Sequence, residues 1–352
     1  MQKSKIWCII ILMLVVLCFF LIGSVTVIID PFFHYHPPLK ELVYPIYNQR
    51  YQNNGILKHF EYDAIITGTS MTENFKTSEF DKLFDVNSVK VPFSGAFFRE
   101  TSERLNSAFQ SDNHIKYVVQ SLDYADLVAD KNQLSTYTYP DYLYNHNPLD
   151  DVQYILNKTV LFEYSLYVLE FTQNNTSMTS FDEYSNWNDK ASFGKEAILK
   201  LYDRPQREYV NKTLLEEEKL KIQENLEENI IAHIRNNPLT EFYLFFPPYS
   251  IVHWDRINQK GEISKAIEIY EYAAELLMVQ PNVHLYTFSD NFELVCDLNN
   301  YKDTNHYGEW INSEILKWMR NDQYQLLESN YKERFAQMRE FYINYDYEGI
   351  FS

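Results

Sequence analysis

Cysteine is almost absent from this chain. Three occur in 352 residues; Cys8 and Cys18 fall inside an apolar segment, which leaves Cys296 alone in the remainder. No disulfide can close within that remainder, so packing must hold its core. Basic residues are also short, with 31 Lys and Arg against 49 Asp and Glu and a formal charge of −18. So acidic a chain is poorly matched to phosphate backbones or anionic lipid surfaces, and nucleic acid is not expected as a direct partner. The histidines lack metal-site spacing: His34 and His36 stand without a nearby carboxylate or thiolate ligand set. No metal is expected, and no organic cofactor is called for.

Charge is wholly missing from residues 6–29, after Lys3 and Lys5. At helical rise this run is long enough to cross a bilayer. Lysines precede it and Asp30 follows, so the positive-inside rule predicts a cytoplasmic tip and an extracytoplasmic remainder. The apolar run is longer than that of a cleaved signal peptide and no small-x-small site follows it. The expectation is an uncleaved, single-pass signal anchor over residues 1–29 in a bacterial cell membrane.

Beyond the anchor, short apolar runs at 63–67, 88–92, 115–122, 241–246 and 283–288 alternate with helical patterns at 98–109, 264–279 and 307–319. This alternation predicts an α/β domain with a parallel sheet. Residues 30–62 read as a proline-broken lead-in, 63–320 as the domain and 321–352 as a C-terminal helical extension. The interval 124–235 exceeds any ordinary crossover and reads as an insertion over the strand ends, a lid or substrate platform. The 29 tyrosines fit both a sugar-stacking groove and an amphipathic core rim. The Asn-x-Thr/Ser triplets at Asn157, Asn174, Asn175 and Asn211 follow from asparagine abundance and carry no weight.

Two motifs carry chemistry. The run DAIITGTSMTEN sets Ser70 just after the first apolar segment, and Asp303-Thr304-Asn305-His306 lies near the end of the pattern. They supply a hydroxyl nucleophile, an imidazole base and a carboxylate to orient the base. Bland roles compete. Ser70 with Glu73 three residues on is a formal capping box, and Asp303 could cap the following helix. The α/β-hydrolase elbow G-x-S-x-G is disfavoured, because Thr72 stands where its second glycine belongs.

The order and placement of these motifs resemble the SGNH, or GDSL-type, hydrolase superfamily, in which a serine follows the first strand of a flavodoxin-like three-layer domain and Asp-x-x-His closes it. The string GTSMTENF looks like membrane-anchored relatives that act on envelope polymers, such as the teichoic acid D-alanylation and alginate O-acetylation proteins. The resemblance implies Ser70, Asp303 and His306 as the catalytic residues and an oxyanion hole from the Ser70 and Gly95 amides. It also implies an esterase or O-acyltransferase acting on an envelope glycan or teichoic-type polymer, beside a membrane-bound O-acyltransferase as a further partner. The third block departs: Gln120-Ser121-Leu122-Asp123 puts Leu122 where the family has an asparagine donor. That loss favours the rival expectation, a scaffold that binds polymer without chemistry. Thr69, Glu73, Asp123, Tyr249 and Trp254 are the expected pocket residues, the last two on a loop after the fourth strand.

Overall fold

A computed structural model of the chain describes residues 2–145, 147–174 and 176–351. Met1, His146, Asn175 of the asparagine triplets and Ser352 lie outside the described residues. The apolar runs form five parallel strands: β1 Ala64–Gly68, β2 Ser88–Pro92, β3 Tyr117–Ser121, β4 Glu241–Phe246 and β5 Val283–Thr287. All residues of β1 and β2 are buried, as continuous apolar strands are when both faces of a sheet are covered. The spatial order is β2-β1-β3-β4-β5, with Ile65 of β1 paired to Val89 on one side and Val118 on the other.

The order reverses direction between β1 and β3. Right-handed connections then send the helix Thr77–Phe84 to one face and the later crossovers to the other. The packing agrees: Thr77–Phe84 lies against Glu309–Arg320, whereas Phe98–Phe109 lies against Ala232–Asn236 and Ile263–Met278 against Tyr331–Asn344. At such a reversal, neighbouring loops diverge and open a crevice outside the carboxyl ends of the strands. The residues after β1 and β3 face that crevice.

The chain divides into two compact units, Met1–Phe60 with Tyr137–Ser180, and Glu61–Thr136 with Phe181–Ser352. The interval 124–235 is therefore not one insertion. Its last part forms three consecutive helical segments, Glu216–Leu226, Glu227–Ile231 and Ala232–Asn236, that serve as the crossover into β4. Ile222, Leu226, Ile230 and Ile234 recur at helical spacing and are buried.

In the smaller unit, Gln2–Ile29 is a single helix, and its stretch Ser4–Ile29, 26 residues whose most apolar part reaches a mean hydropathy of 3.2, is long and apolar enough to cross a membrane. The end of this helix is built into the fold. Gly23, Thr26 and Ile29 are buried, and the Asp30 carboxylate accepts from the amides of His34 (2.9 Å), Tyr35 (2.8 Å) and His36 (3.1 Å) and from the Tyr154 hydroxyl (2.7 Å). The paired histidines are engaged as well: the His34 Nε2 meets Asp151, and the His36 ring nitrogens meet the carbonyls of Pro37 and Val27.

Leu122, just past β3, is fully buried, and its amide donates to the Phe245 carbonyl at 2.8 Å. Its side chain belongs to the core and does not line the crevice. An asparagine there would bury an unpaired amide where a leucine packs. The substitution Leu122→Asn should lower unfolding stability by about 3 kcal/mol in urea denaturation and should give no gain in ester turnover.

Candidate active site

β1 ends at Gly68 with φ +128°, where a Cβ would approach Ser121 Oγ to 2.5 Å. Only glycine fits such a conformation without strain. The turn that follows, Ser70–Thr72, is capped by Thr69, whose hydroxyl oxygen accepts from the Met71 amide at 3.3 Å. The capping role read onto Ser70 thus belongs to Thr69. The Ser70 hydroxyl is left to donate to His306 Nε2 at 2.7 Å.

Asp303 does not cap the next helix, which starts at Glu309 with Gly308 at its cap. Its Oδ1 accepts from the amides of Asn305 (2.9 Å) and His306 (2.8 Å), closing a turn that swings the imidazole back onto the carboxylate. His306 Nδ1 then lies 2.8 Å from Oδ2 and 3.0 Å from Oδ1. Burial pushes the Asp303 carboxyl up, but the bond to His306, its charge and the two amides outweigh that and hold it below the usual range. An ionised Asp303 fixes the proton on Nδ1 and leaves Nε2 as the acceptor facing Ser70. The Trp187 ring stands edge-on to His306 at 5.8 Å, and Lys302 Nζ lies 3.4 Å over the Trp187 ring.

Ser70 and His306 open onto a cleft of about 300 Å³, which Thr69, Gly95, Asp123, Asp126, Tyr249, His253 and Asn305 also line. Gly95 adopts φ +66°. Among the described residues neither its amide nor that of Ser70 donates to another protein group. Both residues line the cleft onto which the Ser70 hydroxyl opens.

The cleft floor is a polar network that no motif announces. Asp123 is buried and accepts from the hydroxyls of Tyr249 (2.6 Å), Thr69 (2.8 Å) and Ser121 (2.9 Å). Burial raises its carboxyl, while the three hydroxyls and the His306 charge pull the other way without cancelling that rise. Asp126, 5% exposed on the same wall, has no hydrogen-bond donor to its carboxyl among the described residues. Burial, then the charges of Asp123 and Glu100, push it well above the usual range. The three donors partly offset burial at Asp123 and none does so at Asp126, so the rise is the greater at Asp126. Burial lowers His253 to about 4. Its Nδ1 donates to Asn305 Oδ1 at 3.0 Å, which turns Nε2 into an acceptor.

Two expected pocket residues lie elsewhere. Ser250 caps a new helix, Ile251–Gln259, directly after the double proline. That helix carries Trp254 into the core, 1% exposed and stacked on Tyr342 at 3.8 Å. Trp254 is therefore not a pocket wall. Glu73 is also buried and does not line the cleft; its carbonyl accepts from Lys90 Nζ at 2.5 Å. Burial lowers Lys90 to about 7. Asp126 and His253 also line the cleft, although neither sits in a recognisable sequence spacing.

No family model matches the chain, and no curated protein matches it. A solved structure from Streptococcus pneumonia, provisionally described as a platelet activating factor, is similar with 12% identity and a TM-score of 0.39, covering 78% of this chain and 90% of that one. A likeness this low carries no argument about activity.

The raised Asp126 carboxyl has a thermodynamic sign. The folded state holds a proton there that the unfolded chain releases near about pH 4. Its contribution to stability is complete below that pH and is lost as pH rises through the raised value. Asp126→Asn keeps the shape and removes the titration. Thermal unfolding should show the variant gaining on the parent as pH rises from about 4 to about 8, with equal stability at the acid end.

Proposed function

We propose that this protein is a serine acyl hydrolase or acyltransferase of the SGNH type, held outside the cell by its N-terminal helix. One observation carries the reading: Ser70 Oγ, His306 Nε2, His306 Nδ1 and Asp303 Oδ2 form a continuous relay with steps of 2.7 and 2.8 Å at the mouth of a cleft. Ser70 attacks the acyl carbonyl and passes its proton to His306, and Asp303 stabilises the imidazolium. The Ser70 and Gly95 amides receive the developing oxyanion. His306 returns the proton to the leaving alcohol. Water or a sugar hydroxyl then enters, and His306 serves again as base.

The 2-1-3-4-5 strand order supports the flavodoxin-like core that this reading requires. The lysines before the helix favour export of the rest, and the buried end of that helix favours its retention. The substrate class that fits is an ester-linked acyl group on an envelope glycan or teichoic-type polymer, with a membrane-bound O-acyltransferase as working partner. Buried Leu122 favours a second reading, a polymer-binding scaffold, because the third oxyanion donor is lost.

The full-length chain in detergent should release acid from short acyl esters. Ser70→Ala and His306→Ala should each lower the rate by a factor on the order of a thousand or more, and the double variant should be no slower than either. Hydrolysis that survives Ser70→Ala removes the enzymatic reading. Polymer acylation in cells that survives it selects the scaffold.

A further inference from the structure

The smaller unit exposes two stripes of apolar side chains. Leu149, Val152 and Leu156 are 80%, 52% and 39% exposed, and Phe162, Leu166 and Leu169 recur at helical spacing with 65%, 52% and 41% exposed. A soluble surface does not carry two such stripes. The first stripe forms one wall of an apolar groove of about 730 Å³ whose other wall is the N-terminal helix from Val16 through Phe20 to Ile28. Close approach is built in: a Cβ on Gly23 would come to 2.7 Å from Ile155.

Depth identifies the occupant. Hydrocarbon about 30 Å thick takes about 20 helical residues, so a span entered after Lys5 leaves the bilayer core near Val25. Val16, some nine residues earlier, then lies about 13 Å below that boundary. Whatever solvates Val16 and Phe20 also fills the groove they wall. The segment opposite is at the same depth. The Tyr47 ring, 46% exposed, stacks on Tyr164 at 5.7 Å with Tyr167 edge-on at 5.6 Å, the amphipathic cluster expected at a headgroup boundary.

We propose that residues 147–173 form a monotopic collar immersed in the outer leaflet, with a phospholipid acyl chain in the groove between Leu149 and Phe20. The proposal rests on Gln2–Ile29 being a retained span. It gives the protein a second membrane contact that holds the smaller unit at a defined depth, which a lone helix and a flexible linker would not do.

The test uses the full chain with Cys8, Cys18 and Cys296 replaced by serine, reconstituted in phosphatidylcholine vesicles, with an environment-sensitive fluorophore on single cysteines at Phe20, Leu149, Phe162 and the exposed polar Gln153. Nitroxide-bearing acyl chains should quench Leu149 and Phe162 to the same extent as Phe20, and aqueous iodide should quench Gln153 alone. If Phe20 is quenched by lipid while Leu149 and Phe162 are quenched by iodide, the span stands and the collar is wrong. Protection of Leu149 from both quenchers means that protein covers the groove, which also overturns the proposal. If Phe20 itself escapes the lipid quencher, the span fails and the collar fails with it.

Discussion

A 2.7 Å hydrogen bond joins Ser70 and His306 across 236 positions of sequence, and everything proposed about chemistry depends on the frame that keeps it. The frame is the strand order. Reversal between β1 and β3 leaves an opening where Thr69 and Asp123 follow their strands, and the segment after β5, past the short helix Phe292–Cys296, delivers Asp303 and His306 to Ser70. Gly68 completes the arrangement, because only a residue without a side chain can clear Ser121 while turning Ser70 outward. Charge then sets the proton positions. An ionised Asp303 fixes the imidazole, and His306 Nε2 accepts from the serine.

Beneath this relay lies a second electrostatic choice. Two carboxyls, Asp123 and Asp126, share a buried wall, and both cannot ionise at low cost. Three hydroxyl donors settle the charge on Asp123, which in turn fixes Thr69, Ser121 and Tyr249 around the nucleophile's turn. Asp126 has no such donor among the described residues, so burial raises its carboxyl well above the usual range, and burial likewise lowers His253.

Much of the larger unit was legible in sequence. Continuous apolar runs marked all five strands, with β2 and β4 placed to the residue and β3 overrun because Ile115, Lys116 and Leu122 extend the apolar signal past the ladder. The helix Phe98–Phe109 also appeared where its amphipathic pattern put it. The division into units was not legible, since it rests on contacts such as Asp30 with Tyr154, 124 positions apart. Its length made 124–235 look like one insertion, although its last helices are the crossover into β4. Trp254 was misplaced because a double proline reads as a loop, while Ser250 restarts a helix at once. Asp126 and His253 became visible only through burial and neighbours that no local spacing encodes.

The central claim is that Ser70 is a nucleophile activated by His306 and Asp303. Its most direct measurement is intact-mass and peptide mapping of the full chain after treatment with a fluorophosphonate, which traps a serine only when a base activates its hydroxyl. The account predicts one adduct, on Ser70, that disappears in His306→Ala although the serine remains. Absence of any adduct on the parent, or an adduct on Ser70 that persists without His306, would contradict it.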